Sequence, residues 1–139
     1  MEGNKKQEWY CKLFIDASKL ERDELSSLVL AVVNGHKGQV IETHALSVDI
    51  RSNDDYNAPK YGHKIPYDSV DEFLYYRYFL DIFPKEEDTD RKKYVDEIGT
   101  LLEGLWARKY KAVAACGFEE KLPRAGGMGY DPTKNSSEG

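Results

Sequence analysis

The sequence predicts an α+β domain in which one antiparallel sheet carries two helices. Three observations lead there. Three short segments alternate with the period of two that sends one face of a strand into a core, and a fourth is a short run of small apolar residues. Two longer segments repeat apolar residues at helical spacing. The six segments follow one another as β, α, β, β, α, β.

The first strand is WYCKLFID at 9–16, with Trp9, Cys11, Leu13 and Ile15 on one side and Tyr10, Lys12, Phe14 and Asp16 on the other. Ser18-Lys-Leu-Glu21 then has the S-x-x-E spacing of a capping box, which satisfies free backbone donors at a helix start. Leu25, Leu28, Val29 and Val32 continue at helical spacing. Gly35, after Asn34, supplies a left-handed stop, giving a helix over about 19–34.

A second strand is expected from Val40 to Arg51, bulged near His44, with Leu46, Val48 and Ile50 alternating against Ser47, Asp49 and Arg51. The turn-rich stretch 52–71 has no steady period and reads as a long loop. The third strand is FLYYRYFLDIF, 73–83, closed by Pro84. The second helix spans 88–109, acidic at its start and basic at its end as a helix dipole favours. Its apolar stripe is Tyr94, Ile98, Leu101, Leu102, Leu105 and Trp106, and Gly99 and Gly104 permit close packing on the sheet. KAVAACGF at 111–118 is the last strand. Residues 1–123 thus form one domain, and the Gly-rich, polar 124–139 reads as a flexible tail.

This order is that of a ferredoxin-like sandwich, with the first and third strands side by side in the middle of a four-stranded sheet. Helices on one side cover only one sheet face. On the third strand Leu74, Tyr76, Tyr78, Leu80 and Ile82 take the covered face. The other face receives Phe73, Tyr75, Arg77, Phe79 and Asp81 beside Tyr10, Lys12, Phe14 and Asp16. Rings mixed with charges have the composition of an interface, and a bare apolar patch of that kind is uncommon on a monomer. The simpler expectation is that the loop, the tail or a second copy of the chain covers this face.

A formal charge of −5, with 40% hydrophobic and 32% charged residues, fits a globular protein and argues against nucleic-acid or anionic-membrane binding. The N-terminus lacks the apolar core of a signal peptide, and no run approaches a membrane span, so a cytoplasmic location is expected. Two cysteines, Cys11 and Cys116, are too few for a disulfide framework and read as reduced, buried thiols.

No catalytic motif stands out. His36, His44 and His63 show no ligand spacing and read as surface residues. A metal site of Cys11, Cys116 and His44 lacks an identifiable fourth ligand, so no metal or other cofactor is expected. Asp54-Asp55, Glu86-Glu87-Asp88 and Glu119-Glu120 read first as solvated loop charge; held rigidly, such acids also mimic phosphate in the basic cleft of a nuclease. GGMG at 126–129 is no phosphate loop, since no Lys-Ser/Thr follows.

WYCKLFID, SNDDY, DEFLYYRYFLDIFP and YVDEIGTLLEGLWARKYKAVAACGFEEKLPRAGG together resemble a family of small bacterial single-domain proteins without an assigned activity, over residues 9–127. In size, acidity and lack of a catalytic motif the chain is also similar to immunity proteins that neutralise toxins in interbacterial competition. The family pattern carries an acid where Lys121 stands in FEEKLP, which weakens an acidic-mimic argument at that edge.

The resemblance implies a non-enzymatic, protein-binding role. The expected contacts are Tyr10, Phe14, Tyr75, Arg77, Phe79 and Asp81, with Asp54, Asp55, Glu119 and Glu120 at the rim. Two other classes compete. An RRM-like RNA-binding domain also displays rings on its first and third strands, although the basic, Gly-containing RNP1 pattern is missing. A small enzyme or ligand-binding protein would use a pocket between 52–71 and the sheet.

Overall fold

The computed structural model describes residues 9–38, 40–54, 56 and 72–133. It is an α+β fold with two helices and one six-stranded antiparallel sheet, two strands more than expected. The elements are β1 (Cys11–Ile15), α1 (Arg22–Val33), β2 (His36–Lys37), β3 (Ile41–Glu42), β4 (Leu46–Ser52), β5 (Tyr78–Pro84), α2 (Arg91–Ala107) and β6 (Ala112–Cys116). The sheet order is β2-β3-β4-β5-β1-β6, so β1 lies between β5 and the edge strand β6, with Leu13 opposite Leu80 on β5.

Both helices pack into one cluster with the same sheet face. Leu25 and Val29 of α1 and Ile98, Leu101, Leu102 and Leu105 of α2 join Leu13, Val48, Leu80 and Ile82. At the helix–helix contact a Cβ on Gly104 would lie 2.4 Å from Val32 Cγ1, while one on Gly99 would meet Pro123 Cδ at 3.1 Å. The two glycines therefore admit α1 and the 123–126 turn, not the sheet.

Several expected boundaries move. Helix α1 begins one turn late because Ser18 and Leu20 give their carbonyls to Arg77, at 2.8 and 3.2 Å, and Leu20 also accepts from the Tyr78 hydroxyl. The capping exchange shifts to Glu21, whose N–H donates to the Glu24 carboxylate at 2.8 Å. At the other end Asn34, not Gly35, takes the left-handed conformation, with φ 57°.

The predicted strand over 40–51 is two strands. Thr43 Oγ1 accepts from the N–H groups of Ala45 and Leu46 and folds a turn between β3 and β4. Its own hydroxyl donates to Glu97 of α2.

The third predicted strand loses its first half: Glu72–Tyr75 is a 3-10 turn and β5 starts at Tyr78. The 52–71 loop lies outside the described residues apart from 52–54 and 56. Part of the predicted tail is seated on the domain. Tyr130 packs edge-on against Trp106 with ring centroids 5.1 Å apart, and Trp106 Nε1 donates to the carbonyl of Ala112 on the edge strand β6. Gly126 and Gly127, at φ 91° and 94°, run so close to the Ala114 and Ala112 carbonyls that a Cβ would lie 2.9 and 2.6 Å from them. Residues 134–139 lie outside the described ones. Among the described residues no helix is long and apolar enough to cross a membrane.

Candidate functional site

Strand alternation leaves Lys12 and Phe14 of β1, Ser47, Asp49 and Arg51 of β4, Phe79, Asp81 and Phe83 of β5, and Val113 and Ala115 of β6 on the sheet face away from the helices. Register sorts them into cross-strand rows. Arg51, Phe79, Phe14 and Val113 form one row, and Asp49, Asp81, Lys12 and Ala115 the next.

The Phe14–Val113 end of the first row is closed by the chain itself. Phe73, carried on the 3-10 turn, packs edge-on over Phe14 at 5.2 Å between centroids, and Phe14 is only 4% exposed. Asn53 holds that turn in place by donating its side-chain amide to the carbonyls of Leu74 and Tyr76, at 2.9 and 2.7 Å. Lys12 lies across the neighbouring ring, its Nζ 4.2 Å from the Phe79 centroid.

The second half of the face is open and charged. Asp49 and Asp81 stand opposite each other on β4 and β5, a like-charge pair that is unfavourable unless a cation joins it. Arg51 supplies the cation, with Nη1 3.4 Å from Asp49 Oδ2 and 4.0 Å from Asp81 Oδ2. Tyr10 donates its hydroxyl to Asp81, and its ring lies 5.0 Å from that of Phe83. Burial, followed by the hydrogen bond to Asp81, pushes the Tyr10 phenol well above its usual range, so it stays a donor.

Of the expected contact residues, the structure brings Tyr10, Phe79 and Asp81 together on this face. Phe14 shares the face but is covered, so it offers no ring to a partner. Arg77 is not on the face: its guanidinium is bonded to Ser18 and Leu20 and lies 3.7 Å from Glu21. The same break in alternation exposes Leu74, expected in the core, and turns Tyr76 toward the Phe14 cluster.

Glu119 is half-buried and accepts from the N–H of Cys116 at 2.9 Å, a backbone role on the edge strand. Glu120 and Asp54 are exposed at opposite ends of the sheet, about 20 Å apart along the strands. Asp55 lies outside the described residues, as does the side chain of Tyr75. Asp49, Arg51 and Phe83 were not singled out in the sequence. The signal was present, since Asp49 and Arg51 oppose Val48 and Ile50 in alternation and Phe83 has the parity of Phe79 and Asp81.

The two thiols meet: Cys11 and Cys116 are direct partners across β1 and β6. His44 is exposed on the β3–β4 turn, three strand spacings or about 14 Å from β6. Among the described residues no group of three or more His, Cys, Asp or Glu is placed to hold a metal ion. A cleft of about 310 Å³ beside α2 is lined by Trp9, Arg91, Lys92, Val95, Asp96 and Lys121. Within it Arg91 lies 5.0 Å over the Trp9 ring and Lys92 is 3.1 Å from Asp96. Comparison with protein-family models, with curated proteins and with solved structures finds no match for this chain.

Proposed function

We propose that this chain is a protein-binding module whose contact face is the open half of the outer sheet. One observation carries the reading: Tyr10, Asp81, Arg51 and Asp49 form a connected polar group beside the half-exposed rings of Phe83 and Phe79. Rigid rings contribute area at low entropic cost, and a preset charge pattern fixes the partner's register. The frame β4-β5-β1-β6 with both helices on one side has the strand order of a ferredoxin-like sandwich, and β2–β3 adds a hairpin at its edge.

In its narrower form the module is an immunity protein that occludes a toxin domain. The net charge of −5 supports a basic partner, as do the exposed Glu86, Glu87, Asp88 and Glu120 at the Phe83 end of the sheet. The RRM-like reading is weakened by Phe14, which lies beneath Phe73 and cannot stack a base.

Co-expression with a toxin domain encoded beside this gene tests the narrow form. The wild type should restore growth and bind the domain at one-to-one stoichiometry, and Arg51→Glu should do neither. A photo-crosslinker at Phe83 tests the broader form: a partner captured there and lost in Arg51→Glu supports it. Capture only of a second copy assigns the face to a homodimer, and no capture removes the reading.

A further inference from the structure

We propose that Cys11 and Cys116 form a reversible cross-strand disulfide between β1 and β6. The register makes them direct partners, and they are the only cysteines of the chain. The hydrogen-bond phase shows what kind of pair they are. Asp16 N donates to Lys111 O at 2.9 Å, so Asp16 and Lys111 are a hydrogen-bonded pair. Such pairs alternate along an antiparallel ladder, which makes Phe14–Val113 and Lys12–Ala115 bonded and Cys11–Cys116 non-bonded.

The outward N–H of Cys116 agrees, since it donates to Glu119 and not to β1. Non-bonded partners have Cα atoms about 4.5 Å apart with side chains close together, inside the separation of about 4.4–6.8 Å that a disulfide spans. The bond therefore needs no movement of either strand.

The two thiols have different roles. Cys11 is fully buried, whereas Cys116 is half-buried at the sheet edge. Contact with Cys116 and burial raise the pKa of the Cys11 thiol, and contact with Cys11 lowers that of Cys116. An oxidant reaches Cys116 first, so exposure makes Cys116 the attacking thiol and the buried Cys11 the resolving one.

With a low-molecular-weight disulfide as oxidant, the Cys116 thiolate attacks one of its sulfurs, forms a mixed disulfide and expels one thiolate. Cys11 gives up its proton and attacks the Cys116 sulfur, closing the protein disulfide and expelling the second thiolate. Two protein thiols lose two electrons, the oxidant gains them, and the two protons end on the two released small thiols. The product ties the edge strand β6, and the 119–130 segment packed on it, to the neighbouring strand β1.

Oxidised glutathione added to the reduced full-length protein is the probe. Intact mass should fall by two hydrogen atoms, the product should remain monomeric on a non-reducing gel, and its urea midpoint should rise until dithiothreitol reverses it. Cys11→Ser should hold one glutathione on Cys116. Cys116→Ser should leave Cys11 labelled by iodoacetamide about tenfold more slowly than Cys116 is in Cys11→Ser. Wild-type protein that keeps its glutathione, forms covalent dimers, retains both thiols or loses stability on oxidation would overturn the proposal. Equal labelling of the two single variants would overturn the assignment of roles.

Discussion

The two faces of the sheet are built from alternate residues of the same strands, five in β1 and seven in β5, yet they end in different states. The helix side is a continuous core in which Cys11, Leu13, Ile15, Leu80 and Ile82 have no exposed surface. The outer side is divided. Near the start of β5 Phe73 folds back over Phe14, while toward Phe83 the rings stay half-exposed among Asp49, Arg51 and Asp81. Alternation assigns a residue to a face, and whether that face is dry depends on a segment that arrives from elsewhere in the chain.

The strongest way to break this comparison is to test whether Phe14 behaves as a core residue. Leu80→Ala on the helix side and Phe14→Ala on the outer side should each destabilise the protein by about 3–4 kcal/mol, read from urea unfolding. Phe83→Ala, on the open half, should cost less than about 1 kcal/mol. A Phe14→Ala loss as small as that of Phe83→Ala would mean that Phe73 does not cover it.

Tyr94 sharpens the helix side. Its hydroxyl donates to the carbonyl of Ile82 at 3.1 Å and to that of Trp9, so Tyr94→Phe should cost about 1–2 kcal/mol. Burial, and then the neighbouring Cys11 and Cys116, hold its phenol above the ordinary value of about 10. The folded protein therefore keeps a proton that the unfolded chain releases. That contribution is complete below about pH 10 and is lost as pH rises further. Urea midpoints measured above that pH should fall more steeply for the wild type than for Tyr94→Phe.

Arg77 would have stood on the outer face of an uninterrupted strand. Arg77→Ala removes two charge-assisted bonds to the Ser18 and Leu20 carbonyls and should cost about 1–2 kcal/mol, without changing partner binding. Loss of binding with unchanged stability would return Arg77 to the interface. The smallest effect is expected at Arg51, which is 55% exposed: Arg51→Ala should change stability by no more than about 0.5 kcal/mol while weakening the proposed contact.

The parity of β1, β4 and the second half of β5 was legible in the sequence, as was the apolar stripe of α2, because both periods follow from local backbone geometry. So was the pairing of β1 with β5, while the element order was legible except for two strands. The hairpin β2–β3 was hidden inside a β-rich run, because Thr43 breaks that run by bonding its own backbone and Glu97 of a helix far along the chain. The face was legible as a face, but only part of the site: Tyr10, Phe79 and Asp81 belong to it, and Arg77 and Glu119 are committed to backbone groups that the fold brings to them.

By itself the sequence determined which residues share a side wherever a strand or helix runs unbroken, since that depends only on neighbours a few positions away. The tertiary structure alone decided that Phe73 covers Phe14, that Arg51 bridges two facing aspartates and that two distant cysteines stand opposite each other. Each of these depends on register between segments far apart in the chain, where several partners compete for the same group and packing selects among them.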